Sequence, residues 1–238
     1  VSRGLSATHV HAARRLTALV AMTVAVAGAS SSGATTPSAR ADSCPDVEVV
    51  FARGSGEAPG LGSVGGPFVD ALRSQIGSRS LAVYPVNYPA STDFASSDFP
   101  AMFIEGIRDA SAHIESVAAN CPNTREVIGG YSQGAAVVGY ATSPAIPQGA
   151  PPGVPPPLPP QIANHIAAVT LFGTPSGQFL DKYHAPALVI GPQYQAKTLE
   201  LCASGDGICG NGGDPAAHVS YPINGMTGQA ADFASSHL

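Results

Sequence analysis

Positive charge is scarce in this chain. Its 238 residues carry 11 Lys and Arg against 16 Asp and Glu, and only 11% of all positions are charged. Four of the arginines, at positions 3, 14, 15 and 40, fall in the first 41 residues, which hold no acid. The rest therefore has 7 basic and 16 acidic side chains, a net charge of −9. That balance leaves no basic patch for nucleic acid or anionic lipid. Metal-ligand spacing is missing as well: there is no Cys-x2-Cys and no pair of histidines at zinc-binding distance, so neither a metal nor an organic cofactor is expected. The apolar run LTALVAMTVAVAGA, Leu16 to Ala29, is too short to span a bilayer, which argues against stable membrane insertion.

That run fits a different purpose. Arg14 and Arg15 precede it and Ala39-Arg40-Ala41 follows, so residues 1–41 match the charged, apolar and A-x-A parts of a secretory signal. Residues 42–238 are then the mature domain, about 197 residues, enough for one sizeable core and expected as a monomer. A low-charge surface rich in Ser, Thr, Gly and Pro suits a protein working outside the cell. Cys44, Cys121, Cys202 and Cys209 all lie in this part. An even count in an exported chain reads as two disulfides, with three pairings open.

Five apolar runs read as strands and alternate with helical patterns: Asp46 to Ala52, Leu81 to Tyr88, Arg125 to Tyr131, Ala167 to Gly173 and Lys197 to Ala203. Between the first two, PFVDALRSQIG places Phe68, Leu72 and Ile76 on one helical face, with Pro67 suited to the first turn. In the next helical segment Ile104, Ile107, Ile114 and Val117 recur at helical spacing. Strand–helix alternation implies crossover connections and a mainly parallel five-stranded sheet covered on both faces. The proline-dense segment Pro144 to Pro160 is expected as an extended surface loop, a semi-rigid connector.

The third run ends in GGYSQGA, which contains Gly-x-Ser-x-Gly at Gly130 to Gly134. In a chain with 27 glycines the five-residue match alone is weak, with ~0.3 occurrences expected by chance. Its setting is specific: a strand before and a helix after make an elbow that exposes Ser132 at the carboxyl end of the sheet. The Gln133 backbone N–H then points with the helix start toward developing negative charge. A serine needs a base, and the base needs an acid to fix its tautomer. In parallel-sheet hydrolases both follow the serine in the chain. Of His165, His184, His218 and His237, only His218 follows the fifth strand without lying at the chain end. Asp206, in CASGDGIC, is the preferred acid, since pairing of Cys202 with Cys209 would enclose it in a rigid loop. Asp214 is read instead as the cap of a helix beginning at Pro215. Tyr131 and Val219, neighbours of the serine and the histidine, are expected to line the substrate site.

FARGSGE at Phe51 to Glu57, GGYSQGA at Gly129 to Ala135, Cys-x3-Asp-x2-Cys at Cys202 to Cys209, His218 beyond it, and the eleven-residue step from Cys121 to Ser132 together resemble the cutinase family of secreted serine esterases. The similarity runs over essentially the whole mature chain. It implies an α/β-hydrolase without a cap domain and a Ser132–His218–Asp206 triad. It also implies Ser55 as a side-chain oxyanion donor beside the Gln133 N–H, a role that spacing alone does not single out. The cysteines by this resemblance pair as Cys44–Cys121 and Cys202–Cys209, stabilising by roughly 4.5 and roughly 2.5 kcal/mol in the chain-entropy account. The loop GNGGDPAA before His218 offers little apolar wall beyond Val219. That departure from the fungal members points away from polymeric cutin and toward short- to medium-chain acyl esters or lipids. The rival readings are an acetylxylan-type polysaccharide acetyl esterase and a non-catalytic secreted protein of the same fold.

Overall fold

A computed structural model describes residues 44–238, so the signal-peptide reading of residues 1–41 lies outside the described residues. The described residues fall within one compact unit, Asp42–Leu238. Its centre is a five-stranded sheet of order β2-β1-β3-β4-β5 in which every pairing is parallel. The strands are β1 (Val47–Ala52), β2 (Leu81–Pro85), β3 (Arg125–Tyr131), β4 (Ile166–Phe172) and β5 (Thr198–Leu201). The helices are α1 (Gly62–Gln75), α2 (Phe99–Asn120), α3 (Gln133–Ala141), α4 (Gly177–Asp181), α5 (Pro192–Gln195), α6 (Pro215–His218) and α7 (Met226–Ser236).

The pleat explains why the central strands read as continuous apolar runs. Along β1, Val47, Val49 and Phe51 face Phe68 and Leu72 of α1 and Ala230 of α7, while Val50 and Ala52 face α2 and α3 through Ile107 and Val137. Both faces are covered, so β1 and β4 are buried throughout, whereas the edge strands β2 and β5 stay partly accessible. Cys44–Cys121 ties the first described residue to the end of α2, and Cys202–Cys209 closes a loop after β5.

The departures from the sequence reading have identifiable causes. Helix α1 starts at Gly62 rather than at Pro67, which sits inside it. The Glu57 carboxylate accepts from the Ser63 N–H (2.7 Å) and Ser63 hydroxyl (2.6 Å), supplying the cap that allows the earlier start. On α2, Ala118 rather than Val117 is buried. Helix α7 carried no sequence expectation, because its buried positions Thr227, Ala230, Ala231 and Ala234 are small and give little periodic signal. The Pro144–Pro160 segment is less superficial than expected, since its Val154 and Leu158 are buried in the α2/α3 core.

One core group is out of keeping with its surroundings. Glu126 pairs in register with Glu48 across β1 and β3, and its side chain is fully buried. Among the described residues neither of its carboxylate oxygens has a hydrogen-bond partner, whereas Glu48 meets His113 at 2.8 Å. Burial, and then the Glu48 charge, push the Glu126 carboxyl up to about 8. The folded state thus binds a proton that the unfolded chain releases near its ordinary value of 4.5. Stability from this group is complete below that value and falls as pH rises toward 8. Glu126→Gln is expected to remove this slope and to melt above the parent at pH 8, the difference being on the order of a few kcal/mol. Thermal unfolding of both proteins from pH 5 to 8 checks it; parallel profiles would exclude a proton on Glu126.

Candidate active site

The sharp turn between β3 and α3 is imposed by its glycines. Ser132 adopts φ 54° and ψ −115°, a conformation of positive φ that a side-chain-bearing residue rarely takes. A Cβ at Gly130 would overlap the Gly134 carbonyl, and one at Gly134 would overlap the Ala52 carbonyl. Only hydrogen at both positions lets the first turn of α3 sit this close to β1 and β3. The Ser132 N–H donates to the Phe172 carbonyl at 2.8 Å, fixing the elbow to β4. As the first residue of α3, Gln133 has no intrahelical acceptor for its N–H.

Ser132 Oγ lies 2.9 Å from His218 Nε2, and His218 Nδ1 lies 2.8 Å from Asp206 Oδ2. Asp206 is only 1% exposed. Burial by itself would raise its carboxyl, but donors from His218, Tyr221 and the Ile208 N–H outweigh this and hold it below the ordinary carboxylate value. An ionised carboxylate only accepts, so the imidazole proton belongs on Nδ1 and Nε2 is left to accept from the serine. Asp214, in contrast, is exposed and caps α6, its Oδ1 accepting from the Ala216 N–H at 2.9 Å. His218 is the last residue of that short helix.

Several groups that the sequence reading did not single out hold this line in place. The Tyr221 hydroxyl, fully buried, donates to Asp206 Oδ2 at 2.7 Å and accepts from the Ala203 N–H at 3.1 Å. Tyr131 donates to the His218 carbonyl at 2.6 Å, so much of what its hydroxyl does is to anchor the histidine loop, although its ring also lines the cavity. Arg53 is buried and donates to the carbonyls of Glu57 (2.8 Å), Val86 (3.4 Å) and Tyr88 (2.6 Å), which folds the RGSGE loop so that Ser55 lines the same cavity as Ser132. The Gln133 side-chain amide donates to the Ser91 carbonyl at 3.1 Å, joining the β2–α2 connection to α3. A sequence signal existed for Arg53 and Glu57, since both lie in FARGSGE. None existed for Tyr221 beyond its place three residues after His218.

The cavity in front of Ser132 has a volume of about 490 Å³. Its apolar wall corrects the expectation from the histidine loop. Val219 does line it, at 64% exposure, but most of the wall comes from Phe94, Phe99 and Phe103 on one side and Phe179, Leu180 and Tyr183 on the other. Half of the chain's 8 phenylalanines surround this one space, and the spacing of Phe94, Phe99 and Phe103 within ten residues was the available clue. Among the described residues the one His/Cys/Asp/Glu cluster of metal-binding dimensions is Cys202, Asp206 and Cys209, whose sulfurs are bonded to each other.

A serine on a strained strand–helix elbow at the carboxyl edge of a parallel sheet, backed by a histidine and a buried carboxylate, defines an α/β-hydrolase. The comparisons narrow this: the cutinase family model matches residues 43–238, and the chain belongs to that family of carboxylic ester hydrolases. It is 63% identical over 166 residues to the probable carboxylesterase Culp7 of Mycobacterium tuberculosis, covering 69% of this chain and 89% of that protein. It is 47% identical over 227 residues to the phospholipase Culp4 of the same organism, covering 95% and 93%. A Trichoderma reesei cutinase solved with a phosphonate inhibitor superposes with a TM-score of 0.60 at 35% identity, covering 82% of this chain and 77% of that one. A solved acetylxylan esterase gives a TM-score of 0.68 at 25% identity, with 82% and 99% covered.

The two acids can be separated by substitution. Asp206→Asn is expected to lower ester turnover by on the order of 10³- to 10⁴-fold, because the amide favours the wrong imidazole tautomer. Asp214→Asn should stay close to the parent, since asparagine caps a helix about as well. Steady-state rates on a soluble short-chain ester check both, and the reverse ranking would move the acid to Asp214.

Proposed function

We propose that the protein is a secreted serine esterase that hydrolyses short- to medium-chain acyl esters through an acyl-enzyme on Ser132. The observation that carries the reading is the unbroken hydrogen-bonded line from Ser132 through His218 to Asp206, opening on an apolar cavity. In the first half-reaction His218 Nε2 takes the serine proton as Oγ attacks the ester carbonyl, and the oxyanion is met by the Gln133 N–H and the Ser55 hydroxyl. His218 returns the proton to the departing alcohol. Water, activated by the same nitrogen, then releases the acid and restores the serine. Every proton in the cycle is carried by a side chain or water, so the chemistry needs no cofactor.

The reading includes export with loss of residues 1–41, leaving domain 42–238 as a monomer without a nucleic-acid partner or stable membrane insertion. Two disulfides support an oxidising compartment, and no helix among the described residues is long and apolar enough to cross a membrane. The names of the relatives, carboxylesterase and phospholipase, support acyl esters of lipids as the substrate class. The acetylxylan reading shares the fold, but a cavity walled by phenylalanine is wasted on an acetyl group.

Ser132→Ala should abolish hydrolysis with the fold intact, and an organophosphonate should label the parent once, at Ser132. Normal turnover by the variant, or labelling of another serine, would falsify the assignment. Ser55→Ala tests the oxyanion role: a lost donor aimed at developing charge is expected to lower kcat on the order of 10²-fold with little change in KM. A lower melting temperature with kcat within about threefold would instead leave Ser55 a turn residue.

A further inference from the structure

The floor of the cavity is one face of α3. Ser132, Ala136 and Tyr140 all line it, and their spacing of four residues stacks them on one side of the helix. At a rise of 1.5 Å per residue the floor extends about 12 Å from Ser132 to Tyr140. One wall comes from α2, where the Phe103 ring meets the Tyr140 ring edge-on at 5.4 Å. The other follows α4: Tyr183 lines the cavity, and farther along Leu188 packs over Gly139 of α3. The Phe94 and Tyr183 rings, 5.5 Å apart, join the two walls.

At the C-terminal end of α3 the cavity is bounded by Gly149 and Pro151 of the proline-rich segment. That segment is pinned there. The Leu158 N–H donates to the Ala141 carbonyl at 2.9 Å, Arg108 donates to the Gly153 carbonyl at 2.8 Å, and Val154 and Leu158 are buried in the core. Proline has a fixed φ and no N–H, so Pro151 presents a stiff surface without a donor. The direction of the substrate follows from the proton. The departing alcohol must lie at His218 Nε2, beside the exposed Val219, so the acyl group points the other way, along α3.

We propose that the α3 groove is an acyl-chain channel of fixed length, which takes an unbranched acyl chain of about ten carbons and stops it at Phe103, Tyr140 and Pro151. The length follows from the advance of an extended chain, roughly 1.2 Å per backbone bond, set against the 12 Å floor. The cavity, about 490 Å³, also takes in the mouth at Ser55, His218 and Val219, so the ester has room beside the chain. This inference rests on Ser132 being the nucleophile.

The test is a p-nitrophenyl ester series from acetate to palmitate on the purified protein, on Phe103→Ala and on Ala136→Phe, with melting curves for all three. For the parent, kcat/KM is expected to climb from acetate to about decanoate as each added methylene leaves water, then to fall for longer chains. Phe103→Ala should move the maximum about two to four carbons longer. Ala136→Phe, which intrudes one turn from the nucleophile, should lower the decanoate-to-acetate ratio of kcat/KM about thirtyfold or more. Should Ala136→Phe lose its cooperative melting, Phe103→Ala decides alone. A parent maximum at acetate or butyrate, or variants that scale every chain length by one factor, overturns the channel while leaving the esterase reading in place. Absence of hydrolysis at every length, with no phosphonate adduct on Ser132, overturns both.

Discussion

The molecule is organised around a backbone conformation that is unfavourable by itself. A serine at positive φ costs on the order of 1–3 kcal/mol and persists only where its surroundings leave no alternative. Here β3 is locked between β1 and β4, the Ser132 N–H is bound to Phe172, and α3 approaches β1 and β3 so closely that Gly134 and Gly130 admit no Cβ. The parallel sheet thus does more than form a core. Its rigidity is what holds the Ser132 oxygen out from the carboxyl edge, and the loops after β1, β4 and β5 need only converge on that point.

Two buried carboxyls on this scaffold show how donors decide charge. Asp206, beyond β5, meets three donors and is held ionised despite its burial. Glu126, near the start of β3, has no partner among the described residues and is pushed toward the protonated form by the same burial. The difference lies in the loops. The disulfide-closed segment 202–209 turns an N–H toward Asp206, and Tyr221 reaches it from beyond α6. A β-strand commits its N–H groups to the ladder and has none to spare for a side chain.

Legibility from sequence followed the same physics. Strands buried on both faces stand out as apolar runs, and all five were placed to within a few residues. The elbow was legible because glycine, serine and glycine at that spacing, between a strand and a helix, have a steric reason to be there. Ser132, His218 and Asp206 could be arranged by chain order, and Asp214 could be set aside as a cap. Ser55 needed the family resemblance, because a serine in a glycine-rich loop carries no local mark of its partner. Arg53 and the aromatic wall left local clues, in FARGSGE and in the spacing of Phe94, Phe99 and Phe103, but what they touch, like the role of Tyr221, depends on tertiary contacts between distant segments. Helix α7 escaped because alanine packs well against α1 while leaving almost no hydrophobic pattern.

The order of the chain has a consequence in time. Ser132 and His218 are 86 residues apart, and the carboxylate and the histidine both follow β5. A ribosome adding about 5–20 residues per second makes Ser132 several seconds before His218. During that interval the growing polypeptide holds the serine without the histidine that meets it in the folded chain. Under the triad proposed above, a chain that ends before His218 is an inert fragment rather than an uncontrolled hydrolase.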